Sequence, residues 1–391
     1  MTTRASFPLG AGVTLAQLGR DPHRLLARLR EHEPVSWLAA LDGWLVTRYD
    51  LALRVMRDSA TFTVDDPRFS TAQVIGPSML SLDGAQHSRH RDPFAAAFRP
   101  GAVRERFADA VAAEAQRLID SLEPAGGAEL RGSFAGPLAA SIVTRALGLE
   151  QREVDRVRAW YDEIVHAVTE ITAGHPLAPE GEQAFGELRV RLEGVTDGGE
   201  RSSLLTAAAL AAAPLTRDQT IANAAVLLFG GIETTEGMIA NVVLHLLERP
   251  DQLGRVRGDA KRLDIAVEES LRLEPAAAVI DRYATSDEEL GGIPIGRGDL
   301  VRVSISAANR DPAVFPNPDG LDLSGANGRR HLAFAHGPHV CLGVHLARLE
   351  ARTALAALLQ RLPRLRLDPD RPSSVRGLVF RKPPTLHVLW S

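Results

Sequence analysis

A mainly α fold with small β-sheets at its edge is predicted by three features of the 391-residue chain. Stretches rich in Ala, Leu, Arg and Glu with helical apolar periodicity recur at 49–57, 103–123, 136–147, 151–171, 181–194, 217–248, 262–273 and 343–361. Strand signals are few and short, at 35–37, 44–47, 300–304 and 385–389. No Ser/Gly-rich or Pro-rich linker of any length divides the chain, so one domain over 1–391 is expected.

Composition narrows the function. The 45 Lys and Arg residues nearly balance 49 Asp and Glu, for a formal charge of −4. That gives no case for a nucleic-acid partner or an anionic membrane surface. The first residues carry no apolar leader core, and no continuous apolar run is long enough to span a bilayer. A cytoplasmic protein is therefore expected, and a single cysteine, Cys341, suits a reducing compartment.

The longest predicted helix starts after Pro214, where Thr216-Arg-Asp-Gln219 offers a capping box, and stops before Pro250. About 30 residues would run roughly 45 Å, enough to cross the domain. Its middle contains Gly230-Gly231-Ile-Glu233-Thr234-Thr235. Two interior glycines cost about 1 kcal/mol each, and the β-branched pair weakens the helix further. A local opening that holds a ligand or water between the glycine carbonyls and the threonine hydroxyl would offset this. A packing notch for a crossing helix is the alternative, and it leaves Glu233 unexplained.

Further along, Glu269 and Arg272 lie three apart on one helical face, a pairing that by itself is weak. Gly291-Gly292 and Gly296 punctuate a hairpin-like segment over 289–303. The lone cysteine lies in Phe334-Ala-His-Gly337-Pro-His339-Val-Cys341-Leu-Gly343, a loop that runs into the helix over 343–361. A single thiol forms no intramolecular disulfide and no multi-cysteine zinc site. As a thiolate it is a soft, strongly donating ligand suited to haem iron, with the helix-opening amides holding it ionised and Gly337 and Gly343 admitting a flat macrocycle. An isolated cysteine is otherwise a small buried hydrophobe; the glycine pattern favours ligation.

Taken in order, Gly-Gly-x-Glu-Thr-Thr at 230–235, Glu-x-x-Arg at 269–272 and Phe-x-x-Gly-x-x-x-Cys-x-Gly at 334–343 resemble the haem-thiolate monooxygenases. This is the cytochrome P450 family in its soluble bacterial form. The resemblance continues at 83–91, 281–284 and Asn309-Arg310-Asp311-Pro312, and covers roughly residues 20 to 390.

It implies a long central helix over a buried haem b (iron protoporphyrin IX), with Cys341 as the axial iron ligand and Phe334 beside the sulfur. His87, Arg91, Arg282 and His339 match positions that neutralise the propionates, and Gly343 completes the cofactor loop. Glu233 and Thr234 are the implied catalytic acid and alcohol, and Glu269 and Arg272 a buried structural pair. Met79, Leu80, Val226, Phe229, Gly230, Ala278, Val279 and Phe380 are the implied substrate-pocket residues.

Two departures from the family pattern stand out. Ala335 replaces a glycine, a change expected to be tolerated. The 316–325 segment lacks the arginine that would complete the Glu269–Arg272 network, leaving Arg329 or Arg330 as candidates.

The implied reaction inserts one oxygen atom of dioxygen into a hydrophobic small molecule, in secondary metabolism or catabolism. The chain after Cys341 is too short for a fused reductase. Electrons are expected from NAD(P)H through a ferredoxin or flavodoxin and its reductase, the enzyme itself being a monomer. Arg99, Arg104, Arg106, Arg329, Arg330 and Arg348 are the expected docking face. A peroxide-driven oxygenating enzyme and a non-catalytic haem sensor are the alternatives, and the Glu233-Thr234 pair argues against both.

Overall fold

The computed structural model describes residues 7–198, 203–209 and 214–391. The helices that enclose the site are, in chain order, α1 (Tyr49–Arg57), α2 (Ser70–Ile75), α3 (Gly84–Ala95), α4 (Pro100–Leu122), α5 (Gly136–Leu147), α6 (Val154–Thr172), α7 (Pro179–Gly198), α8 (Arg217–Leu247), α9 (Ala260–Leu273) and α10 (Val344–Arg361). The helical periodicity over 84–95 escaped the sequence reading: this stretch is mostly polar, with an interior Pro93, and its buried residues are His87, His90 and Phe94.

Helix α8 is the axis of the molecule. Thr216 Oγ1 accepts from the Gln219 amide and Gln219 reciprocates, as the capping box requires. By length and composition α8 would cross a membrane, yet most of it is buried against α5, α6, α9 and α10. A helix apolar on all sides is expected at the centre of a large core.

The opening expected at Gly230-Gly231 is absent, and α8 runs unbroken. Thr234 Oγ1 instead donates to the Gly230 carbonyl at 2.7 Å. A Cβ at Gly231 would stand 3.2 Å from Val143 Cγ2 on α5, whereas one at Gly230 would meet nothing within 4 Å. One glycine is therefore the notch for a crossing helix, and the other leaves open space.

A five-stranded sheet is ordered β1-β2-β8-β5-β3, where β1 is Val35–Leu38, β2 Gly43–Val46, β3 Phe62–Thr63, β5 Val279–Ala284 and β8 Leu300–Ser304. Strand β4 (Gly127–Glu129) joins β10 (His387–Leu389) and β9 (Arg366–Leu367). The hairpin expected over 289–303 is shorter: β6 (Glu288–Leu290) pairs only with β7 (Ile293–Ile295), and β8 leaves for the large sheet. Gly291 and Gly292, at φ 61° and 82°, make the two-residue turn that suits a twisted hairpin.

Glu269 and Arg272 of α9 form a buried pair at 3.0 Å. Arg272 also donates to the Pro318 carbonyl at 2.7 Å and the Gly320 carbonyl at 2.6 Å. Glu269 accepts from the Asp322 amide at 3.0 Å and from Asn327 Nδ2 at 2.8 Å. The third side chain of this network is thus Asn327, not Arg329 or Arg330. Arg329 lies 3.8 Å from Glu268, and the Arg330 guanidinium lies over Phe315. An amide suffices because Glu269 is already neutralised by Arg272 and needs only another donor.

Candidate active site

The loop before α10 and the middle of α8 line one cavity, with about 1970 Å³ of unfilled space between its walls, mouth included. Its walls are mostly apolar side chains with a few polar groups among them, the character of a site for an organic ligand. Cys341, Leu342 and Gly343 line it with Phe334 and Ala335; Val226, Phe229, Gly230 and Thr234 line it from α8.

The loop is held by local bonds. The Cys341 amide donates to the Phe334 carbonyl at 2.8 Å. Burial pushes the Cys341 thiol up, while the Gly343 amide and the charges of Arg91 and Arg348 pull it back. A half-buried thiol that faces the cavity becomes a stable thiolate by meeting a metal cation there. Gly337 has a different purpose from the one expected: at φ 73°, its absent Cβ would lie 2.5 Å from the Met56 carbonyl, so it admits the end of α1.

Ala335 sits at φ 56°, in the left-handed region. An L side chain there costs roughly 1–2 kcal/mol. Ala335→Gly is expected to raise the urea midpoint, for a net gain of about 0.5–1 kcal/mol after the greater freedom of the unfolded glycine chain is subtracted. An unchanged or lower midpoint would contradict that strain.

Cations converge on one side of the cavity. Arg282 is 4% exposed, and it donates to the Asp281 carbonyl at 2.7 Å. The Asp281 carboxylate is occupied by Arg302, at 2.6 and 2.7 Å. Burial draws Arg282 down to about 10. Arg91 donates to the Val340 carbonyl at 2.7 Å. His339 Nε2 lies 2.8 Å from Asp83. Burial alone raises the Asp83 carboxyl, but hydrogen bonds from His339, Thr63 and the Val64 amide bring it to about 2.

His87 does not line the cavity. Its ring lies 4.4 Å from that of His339, its buried Nε2 has no partner among the described residues, and burial with the neighbouring His339 and Arg91 lowers it to about 4. A haem fits this arrangement: a thiol faces a large apolar cavity, and the buried Arg282 and half-buried Arg91 stand where carboxylates at its edge would need cations.

Of the expected pocket residues, Met79, Leu80, Val226, Phe229, Gly230, Val279 and Phe380 line the cavity. Ala278 does not. It lines a small separate cavity with Leu18, Leu26 and Leu378. Its neighbours Ala277 and Val279 line the large cavity, and Val279 borders both.

Glu233 is likewise absent from the cavity wall. It is buried behind α8, where Lys382 Nζ lies 2.9 Å from it and the Tyr161 hydroxyl donates to it. Burial raises its carboxyl, with Lys382 opposing. Lys382 also lies 2.9 Å from Glu236, which accepts from Arg131 Nε at 2.5 Å. Glu236 follows Glu233 by one helical turn, a visible clue, whereas Tyr161, Arg131 and Lys382 are distant in sequence and gave no sign of this cluster.

The cytochrome P450 family model matches residues 197–389. Nocardicin C N-oxygenase of Nocardia uniformis subsp. tsuyamanensis is 35% identical, over 100% of this chain and 99% of its own. Cytochrome P450 monooxygenase PikC of Streptomyces venezuelae is 34% identical, over 94% and 90%. Among solved structures, CxnD, a cytochrome P450 for C–S bond formation in chuangxinmycin biosynthesis, superposes with a TM-score of 0.87 at 27% identity, covering 97% of each chain. Fold and relatives define an oxidoreductase of the monooxygenase class. The chain belongs to the cytochrome P450 family.

Proposed function

We propose that this P450 takes electrons from a separate ferredoxin or flavodoxin system fed by NAD(P)H, and places one oxygen atom of dioxygen into a hydrophobic small molecule of bacterial secondary metabolism. The observation that carries the reading is the single cavity that Cys341 and Thr234 share. The character of that cavity supports a hydrophobic substrate: Met79, Leu80, Val226, Phe229, Val279 and Phe380 would orient it and exclude water. Two relatives are named for oxidising complex natural products, nocardicin C N-oxygenase and the mycinamicin IV hydroxylase/epoxidase of Micromonospora griseorubida, which supports this reading. We read residues 1–391 as one cytoplasmic catalytic unit.

The Cys341 sulfur would hold the iron, with Phe334 and the Gly343 amide supporting it. Arg91, Arg282 and His339 would meet the propionates, with His87 behind His339. Bound haem supplies the reductive activation of dioxygen. The protein supplies protons to an otherwise dry cavity. Glu233, whose carboxyl burial raises and Lys382 lowers, would take up a proton where it stands apart from Lys382 and give it up where Lys382 stabilises the carboxylate. Thr234 Oγ1, now bonded to Gly230, is the hydroxyl on the cavity side that would pass it on. Arg104, Arg329, Arg348 and Arg352 gather in one surface depression with Asp264 and Glu268, and the excess of cations favours an acidic donor there. Arg106 lies instead over Phe107.

Thr234→Ala is the test. It is expected to bind substrate and consume reductant, yet release hydrogen peroxide, with product per reductant falling about tenfold or more. Glu233→Gln is expected to slow oxygen consumption itself. Normal coupling in Thr234→Ala would show that another group performs the proton transfer.

A further inference from the structure

Arg348 takes part in two contacts at once. Its guanidinium grips Glu268 with two bonds, Nε at 2.6 Å and Nη2 at 2.8 Å. The same group lies over the Phe334 ring, 4.7 Å from its centre. Phe334 in turn accepts the Cys341 amide at its carbonyl, at 2.8 Å.

Glu268 is held in turn by His331, at 3.1 Å from Nε2. His331 Nδ1 accepts from the Ala333 amide at 3.3 Å, which leaves the proton on Nε2 and makes it the donor to Glu268. The His331 ring is 6.0 Å from that of Phe334. Carboxylate, imidazole and guanidinium therefore form a frame around the aromatic residue whose carbonyl holds the Cys341 amide.

We infer that Arg348 and Glu268 are positioning residues that set the electron affinity of the site at Cys341, Arg348 by placing a cation behind Phe334 and Glu268 by fixing and partly cancelling that cation. The inference rests on the haem-thiolate reading above. A planar fork gripped by Glu268 through Nε and Nη2 while it covers the Phe334 ring keeps one orientation, which a lysine would not. A cation beside a thiolate-ligated centre favours the state that carries one more electron, and an anion disfavours it. The two residues touch each other, yet their charges act on the sulfur with opposite sign.

That opposition is the test. In the haem-loaded protein, the midpoint reduction potential and the reduced, carbon-monoxide-bound spectrum are measured for Arg348→Met, Glu268→Gln, the double variant and Arg348→Lys. Arg348→Met is expected to lower the potential and Glu268→Gln to raise it, with the double variant returning toward wild type. Arg348→Lys, which keeps the charge, should fall between wild type and Arg348→Met.

A merely structural role would instead move both single variants the same way, together with haem loss. Shifts of the same sign, or none, with the thiolate spectrum retained, overturn the inference. Should Arg348→Met fail to hold haem, Glu268→Gln decides alone: no rise in potential overturns it. A wild-type protein without a thiolate spectrum overturns the underlying reading and this one with it.

Discussion

Cys341→His is expected to abolish monooxygenation and to remove the thiolate signature from the reduced, carbon-monoxide-bound spectrum. A neutral imidazole donates less electron density to iron than a thiolate, and the push that favours O–O cleavage is lost. The surroundings of the sulfur reinforce this. The Gly343 amide, Arg91 and Arg348 are placed to favour a negative charge, against the burial that opposes it. A neutral ring there would face two cations without the anion they stabilise. The measurement is the absorption spectrum of the reduced complex, taken alongside product formation. Retention of the thiolate band would take Cys341 off the iron.

Local features were legible in the sequence because local chemistry fixes them. The capping box at Thr216 and Gln219, the two-glycine turn at Gly291 and Gly292, and the glycine-flanked Cys341 loop all stand where the pattern places them. Long-range partners were not legible. Asn327 completes the Glu269 site, and Lys382 meets Glu233, because loops from distant parts of the chain fold back onto α9 and α8. No spacing encodes such meetings. Ala278 was misplaced because the smaller cavity it borders is closed by Leu18, Leu26 and Leu378, residues from distant parts of the chain. The glycine pair of α8 was half legible: a packing notch and an open wall have the same sequence, and only the position of Val143 separates them.

The same distinction decides what Arg272 does. From the sequence it is one end of a common i,i+3 pair; in the fold its side chain is 1% exposed and holds a loop in place. Its guanidinium binds Glu269 and the carbonyls of Asn309, Pro318 and Gly320, while Glu269 takes the Asp322 amide and Asn327. Arg272→Ala therefore leaves a buried carboxylate without its counter-charge and three carbonyls without their donor. The expected loss is about 3–5 kcal/mol, the usual result of removing one partner from a buried ion pair. The segment it secures leads directly into Leu332, whose amide donates to Asn309 Oδ1, and from there to Phe334 and Cys341. Loosening the loop should thus appear first as poor haem retention, read as the haem-to-protein ratio, together with a lower urea midpoint. Arg272→Lys should recover little, since an ammonium cannot reach the carboxylate and the carbonyls in one plane. A well-folded, haem-replete Arg272→Ala with only slower turnover would show that the segment is held by its other contacts.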